Sequence, residues 1–295
     1  MLPTDALTDP QVWEALLDRG MPQTALLRNL PRLTNLGLLT PMSARTQNVI
    51  AQITDQERLT RARVHPLSVL LAHSTYAAGR SVRGTNTWTP VSSVVDALDD
   101  AFYLAFGAVT PANKRTMLAL DVSGSMTSYT IANTWLSARE ASAAMALVTA
   151  ATEHQHMFVA FTAKNRRSAW SIAPEITPLS ISPKMRLGDV IRETRSLPFG
   201  GTDCALPMLY AREKGIEVDT FVILTDNQTW AGDVHPHQAL RDYRSAMGID
   251  ARLVAVGMAA TEYTVADPRD PRQMDVVGFD GATPDLISSF SRGEI

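Results

Sequence analysis

From Thr116 onward, short apolar runs of strand length alternate with stretches of helical length, and this alternation restricts the fold more than any other feature. The strand-like runs fall at 116–120, 157–161, 169–172, 220–224, 252–256 and 276–278. Helical stretches fall at 135–152, 187–195, 205–214, 236–247 and 284–290. Strands separated by helices run mostly parallel, because each crossover needs a helix's length of chain, and the helices then cover both faces of the sheet. One pair breaks this rule. Only a short polar stretch joins 157–161 to 169–172, too little for a crossover helix, so these two are expected as an antiparallel hairpin at one sheet edge. The expected class is α/β, with a doubly wound, mostly parallel sheet of the Rossmann-like kind.

Residues 1–105 have a different texture, helical throughout and without period-two alternation. Asp9-Pro10 supplies a cap and a first-turn proline, and Val12, Trp13, Leu16 and Leu17 follow at helical spacing. Pro22 begins a second helix with Ala25, Leu26, Leu27 and Leu30 on its apolar side, and Pro31 is expected to end it. Further helices are expected at 43–53, 66–76 and 91–106, with a polar loop at 79–90. Short helices with brief connections suit a helical-repeat solenoid. A linker at 107–115, with Pro111 and Asn113, separates an all-α segment at 1–110 from an α/β domain at 111–295.

A chain of 295 residues can bury a real core. Its net charge of −3 excludes a global pull toward nucleic acid or membrane and leaves room for local basic patches. A single cysteine, Cys204, rules out an intrachain disulfide, so a reducing, cytoplasmic setting is expected. The N-terminus lacks the basic and apolar regions of a signal peptide. The longest apolar-rich stretch, 141–151, is too short to span a bilayer, so no membrane association is expected.

The chemistry lies at strand ends. The run Met117-Leu118-Ala119-Leu120 leads into Asp121-Val122-Ser123-Gly124-Ser125, placing a carboxylate and two hydroxyls at a strand's carboxyl end. That is where open α/β sheets bind ligands. Mg²⁺ takes oxygen ligands at about 2.0–2.1 Å and keeps several waters, so a few protein oxygens suffice. Taken singly, Asp and Ser are common turn residues. Two distant segments add weight: Gly200-Gly201-Thr202-Asp203, a glycine-rich loop before a helix, and Val222-Ile223-Leu224-Thr225-Asp226, an apolar strand ending in a carboxylate. In a doubly wound sheet the strands ending at Asp121 and Asp226 can be neighbours at the topological switch point. One cluster then gathers Asp121, Ser123, Ser125, Thr202 and Asp226 around a divalent cation, Mg²⁺ or a similar ion.

This pattern, D-x-S-x-S followed by a Thr and then an Asp after a later strand, resembles the von Willebrand factor A fold and its metal-ion-dependent adhesion site. The resemblance implies that Ser123, Ser125 and Thr202 ligate directly while Asp121 and Asp226 act largely through water, orienting it and balancing charge. It also implies an open coordination position for a partner's carboxylate or phosphate oxygen. The surrounding segments are more particular. Residues 200–208 and 225–229, Val234-His235-Pro236, Arg241-Asp242-Tyr243-Arg244, Ala266-Asp267-Pro268 and Val277-Gly278-Phe279-Asp280 resemble the Ro 60 kDa autoantigen family. So do residues 21–30, 62–66 and Val82-Arg83-Gly84 in the helical part. That family pairs a ring of HEAT-like repeats, the TROVE module, with a von Willebrand A domain. The resemblance implies a scaffold for noncoding Y-type RNA in RNA quality control. The family's helical part is several times longer than the one here, so the chain is expected to be either a C-terminal piece of a longer protein or a shortened relative.

For local RNA contact the candidates are Arg58, Arg61, Arg63, Arg80 and Arg83, since Arg forms bidentate pairs with phosphate. Trp88 and Tyr76 are candidates for base stacking, with core packing as the commoner role for such residues. Cys204 reads as a small buried thiol, and His235 and His237 as surface residues at a helix start. Ser123 and Ser125 do not sit in a G-x-S-x-G nucleophile elbow, and no catalytic activity is expected. Two functional classes follow: an RNA-associated scaffold with a cation docking site, or a Mg²⁺-dependent protein-binding module acting without RNA. A metal-dependent hydrolase would need a general base that the sequence does not display.

Overall fold

The computed structural model describes residues 7–131, 134–162, 176–197, 200–226, 232–258 and 265–295. The chain forms two compact units, Met1–Val109 with Asn133–Trp135, and Thr110–Ala132 with Leu136–Ile295.

The first unit is helical: α1 Pro10–Asp18, α2 Gln23–Asn35, α3 Ala44–Ile53, α4 Gln56–Arg61, α5 Pro66–Ala77 and α6 Ser92–Leu104, closed by a 3-10 turn at Ala105–Ala108. Side-chain caps start four of them. Asp9 accepts from Gln11 N at 2.9 Å, Ser43 from Thr46 N at 3.1 Å, Asp55 from Arg58 N at 3.0 Å and His65 Nδ1 from Leu67 N at 3.1 Å. Leu26, Leu30, Leu33, Ile53, Leu59, Leu67 and Phe102 are fully buried. Tyr76 is buried too, and its hydroxyl bonds Thr34 Oγ1 at 2.9 Å and accepts from Val91 N at 3.1 Å. Trp88 is buried with its indole N–H on Tyr76 O at 2.8 Å, so both aromatics are core residues.

Two helical expectations change. Pro31 does not end α2, which continues four residues further, and Leu33 beyond the proline is fully buried. Burial of that apolar stripe outweighs the one backbone bond Pro31 cannot make. The second change is α4, which the sequence did not reveal. Six residues with one buried apolar side chain, Leu59, carry too little periodicity to read.

The second unit contains β1 Thr116–Asp121, α7 Ser125–Ser128, α8 Ala138–Thr152, β2 His156–Phe161, β3 Ile176–Leu179, α9 Leu187–Arg195 and α10 Leu206–Lys214. Then follow β4 Thr220–Thr225, α11 Pro236–Met247, β5 Arg252–Gly257, β6 Gln273–Val277 and α12 Thr283–Arg292. The strands form one six-stranded sheet in the order β3-β2-β1-β4-β5-β6. All neighbours are parallel except β2 and β3. The expected antiparallel edge is therefore present, but its second strand is 176–179; the expected strand at 169–172 lies outside the described residues. The last strand begins at Gln273, three residues before the expected start.

Strand β1 lies between β2 and β4, with Leu118 opposite Phe158 on one side and Val222 on the other, and every residue of β1 and β4 is buried. Alternate residues sort the two faces. Met117, Ala119, Val159, Phe161, Phe221, Ile223, Leu253 and Ala255 form one core with Met208 and Ala211 of α10 and Leu240 and Tyr243 of α11. The opposite residues meet α8, an alanine-rich helix buried along most of its length. A capping box fixes the start of α8: Glu140 N donates to Ser137 Oγ at 3.2 Å, and Ser137 N donates to Glu140 Oε2 at 3.0 Å.

Candidate metal centre

The strand order reverses between β1 and β4, and both carboxyl ends open onto the same edge of the sheet. Asp121 is the last residue of β1, and Asp226 directly follows β4. Sheet register therefore makes neighbours of two carboxylates more than one hundred positions apart in sequence. Both are 1% exposed.

Asp121 organises the loops around it. Its Oδ1 accepts from Ser123 N at 2.7 Å, closing the turn that carries the hydroxyls. Ser123 Oγ and Ser125 Oγ then meet at 3.0 Å. Its Oδ2 accepts from Thr225 Oγ1 at 2.7 Å and from Thr202 Oγ1 at 3.3 Å, tying β1 to the end of β4 and to the glycine-rich loop. Asp226 is close enough that its charge acts on Asp121. All five residues that the sequence pattern singled out thus fall in one cluster, Asp121, Ser123, Ser125, Thr202 and Asp226. Burial pushes the Asp121 carboxyl up to about 6, with Asp226 adding to the rise and the Ser123 and Thr225 hydrogen bonds opposing it.

Two buried carboxylates side by side repel unless protonated or neutralised. The donors around them are hydroxyl and carboxylate oxygens; among the described residues no three His, Cys, Asp or Glu side chains cluster. Hydroxyls plus two carboxylates form a hard donor set, which suits Mg²⁺ better than a metal that prefers nitrogen or sulfur.

Two further residues, Arg139 and Thr225, support the cluster, and Gly232 adjoins the neighbouring Asp203; none of the three was anticipated. Arg139 is buried near the start of α8, and its Nη2 donates to Val122 O at 2.8 Å and Ser123 O at 3.0 Å. It pins the backbone of the hydroxyl-bearing turn. Thr225 holds the second oxygen of Asp121. Gly232 lies against the Asp203 carboxylate at φ +95°, and a Cβ there would stand 2.3 Å from Asp203 Oδ2, so only glycine fits. Signals existed for two of these, an arginine inside an alanine-rich helix and a threonine before the strand-end aspartate.

The remaining sequence candidates are dispersed. Cys204 is fully buried in the core. His235 caps α11, accepting from His237 N at 3.4 Å. Arg58 donates to Met21 O at 3.2 Å, and Arg61 pairs with Glu57. Arg63 is exposed with φ +48°, and Arg80 lays its guanidinium over the Trp135 ring at 4.3 Å. Arg83 is exposed and lines a cleft of the helical unit.

Comparison with known proteins places these features in context. The family model described as the TROVE domain matches residues 1–114, and that described as the Ro60 vWA domain matches residues 115–291. The RNA-binding protein RO60 of Deinococcus radiodurans is 47% identical over 274 residues, covering 92% of this chain and 50% of that protein. The RNA-binding protein RO60 of Caenorhabditis elegans is 42% identical over 295 residues, covering 100% of this chain and 44% of that protein. The crystal structure of the Deinococcus radiodurans Ro (Rsr) protein superposes with a TM-score of 0.90 at 45% identity, over 100% of this chain and 57% of that one. The chain therefore spans about half the length of the curated relatives it matches.

Proposed function

The chain belongs to the Ro60 family, and from that premise we propose that it serves as part of an RNA-binding scaffold with a divalent-cation docking site. One observation carries the RNA reading. The TROVE and Ro60 vWA models together account for residues 1–291, and two relatives above 40% identity are named RNA-binding proteins. The finer proposal is that the partner is a small noncoding RNA of the Y type and that the setting is RNA quality control in the cytoplasm. Among the described residues no helix is long and apolar enough to cross a membrane.

Ser123, Ser125 and Thr202 would hold the cation directly, with Asp121 and Asp226 neutralising it and orienting its waters. A bound Mg²⁺ would offer an open coordination position to an incoming oxygen. The protein's own groups do the rest: Arg139 fixes the turn, and Thr225 fixes the Asp121 carboxylate. The burial of both carboxylates at one sheet edge favours a second, compatible reading, in which a protein partner docks a carboxylate on the ion. The proposed role in either case is binding, not catalysis.

The RNA reading is tested by filter binding of a labelled stem-loop RNA carrying a single-stranded tail. Binding should weaken steeply as salt rises, because phosphate contacts release counterions. Absence of salt-sensitive binding at tens of micromolar protein would sink it.

A further inference from the structure

Helix α2 places Arg28, Arg32 and Asn35 at i, i+4 and i+7, one stripe of its surface. A short reverse turn faces that stripe. Trp88 N donates to Gly79 O at 2.9 Å and Ser81 N to Asn86 O at 2.9 Å, with Arg80 and Thr87 paired as an isolated bridge. Gly79 permits the closure: its φ is +66°, and a Cβ there would stand 3.0 Å from Trp88 O. The turn carries Arg83 and Asn86 to a cleft of about 480 Å³ that the α2 stripe also lines.

The cleft's charge is one-sided. Among the described residues lining it, none is Asp or Glu. Neighbouring arginines of the same unit are spent locally, Arg45 on Glu14 and Asp18, Arg61 on Glu57, and Arg58 on the Met21 carbonyl. Arg28, Arg32 and Arg83 have no carboxylate within ion-pair distance among the described residues. Arg32 is steadied over the Trp13 ring at 5.5 Å. Polar groups stand ready beside the charges. Asn29 spends its amide N–H on Ala25 O at 2.8 Å and keeps its carbonyl oxygen, and Ser81 Oγ is buried without a hydrogen-bond partner. Trp88, with its N–H committed to Tyr76 O, contributes an apolar wall.

Three guanidiniums with no ion-pair partner among the described residues call for an anion that accepts forked hydrogen bonds. Amide and hydroxyl groups beside an apolar ring suit the edge and face of a base. The volume lies within the usual range for a small-ligand site. We propose that this cleft receives one nucleotide unit of a single-stranded RNA, its phosphate on Arg28, Arg32 and Arg83 and its base toward Asn86 and Trp88. The assignment rests on the RNA-binding reading above and adds to it a place and a chemistry.

The test is fluorescence anisotropy of a short fluorescein-labelled oligouridylate against this chain, with Arg28→Gln, Arg83→Gln, the double variant and Arg45→Gln outside the cleft. Each cleft substitution should weaken binding roughly five- to tenfold, and the double variant should lower the salt dependence by about 0.7 ion equivalents, the release tied to one single-strand phosphate. Arg45→Gln should stay within about twofold. Arg83 lies on an exposed turn, so an unchanged melting temperature will show that Arg83→Gln leaves the fold intact. If wild type and cleft variants bind the oligonucleotide alike, the pocket is overturned while the RNA reading stands. The same holds if wild type binds the stem-loop RNA but not the oligonucleotide. If neither RNA binds wild type, both readings fail.

Discussion

His65 begins α5 with its ring 5% exposed and Nδ1 accepting from Leu67 N, which leaves the proton on Nε2. Burial pulls its pKa from 6.5 down to about 4. The folded state thus prefers the neutral ring, and the stability this brings is complete above pH 6.5 and is lost as pH falls toward 4. Between pH 7 and pH 5 the loss should be roughly 2 kcal/mol. His73 shifts in the same direction by burial, opposed by Asp99 and Asp96. Thermal melts of wild type and His65→Asn over that range provide the check, since Asn can still cap the helix but cannot titrate. Equal pH slopes for the two proteins would contradict the assignment. The five-residue cluster was legible from the type and order of its parts together, not from any one of them, because Asp and Ser taken singly are common turn residues. Arg139 and Thr225 left only a signal of position, an arginine inside an alanine-rich helix and a threonine before an aspartate, because their roles depend on which backbone carbonyl or carboxylate the fold brings to them.

At the scale of elements, apolar spacing revealed the long helices and buried strands, and local chemistry decided where they stop. Helix α2 shows the limit. Leu26, Leu27, Leu30 and Leu33 are buried on one stripe, so the helix runs through Pro31 although the proline has no N–H for the Leu27 carbonyl. Pro31→Ala should restore that bond and stabilise the chain by roughly 2–2.5 kcal/mol, the interior-proline cost less the entropy a proline removes from the unfolded chain. A melting temperature that stays level or falls would mean that the backbone near Pro31 is already satisfied another way. Helix α4 marks the opposite limit. It depends on the Asp55 cap and buried Leu59, both visible in sequence, but six residues give no period to recognise. Helix α11 is tied down by a contact that no periodicity displays. The Tyr243 hydroxyl accepts from Val218 N at 2.7 Å and donates to Ile216 O at 2.9 Å, anchoring the helix to the approach of β4.

For the second unit as a whole, strand order is the consequential property, because it makes neighbours of the buried carboxylates of Asp121 and Asp226. With Asp121 raised by burial from 3.8 to about 6, the folded state favours its protonated form. The stability tied to that proton is complete below pH 4 and is lost as pH rises through 6. A divalent cation in the cluster would reverse the balance by stabilising the charged carboxylates, and it would compete with the proton for the same oxygens. Cation and pH should therefore be coupled. At a concentration one hundredfold above its dissociation constant, Mg²⁺ should stabilise the fold by about 2.7 kcal/mol. That gain should be nearly complete above pH 7 and small below pH 5. Differential scanning calorimetry with Mg²⁺ or a chelator, at both pH values, measures it. Ser123→Ala and Asp226→Ala should abolish the Mg²⁺-dependent shift without abolishing folding. A shift that persists in both variants, or one of equal size at both pH values, would place the ion somewhere other than the end of β1 and β4.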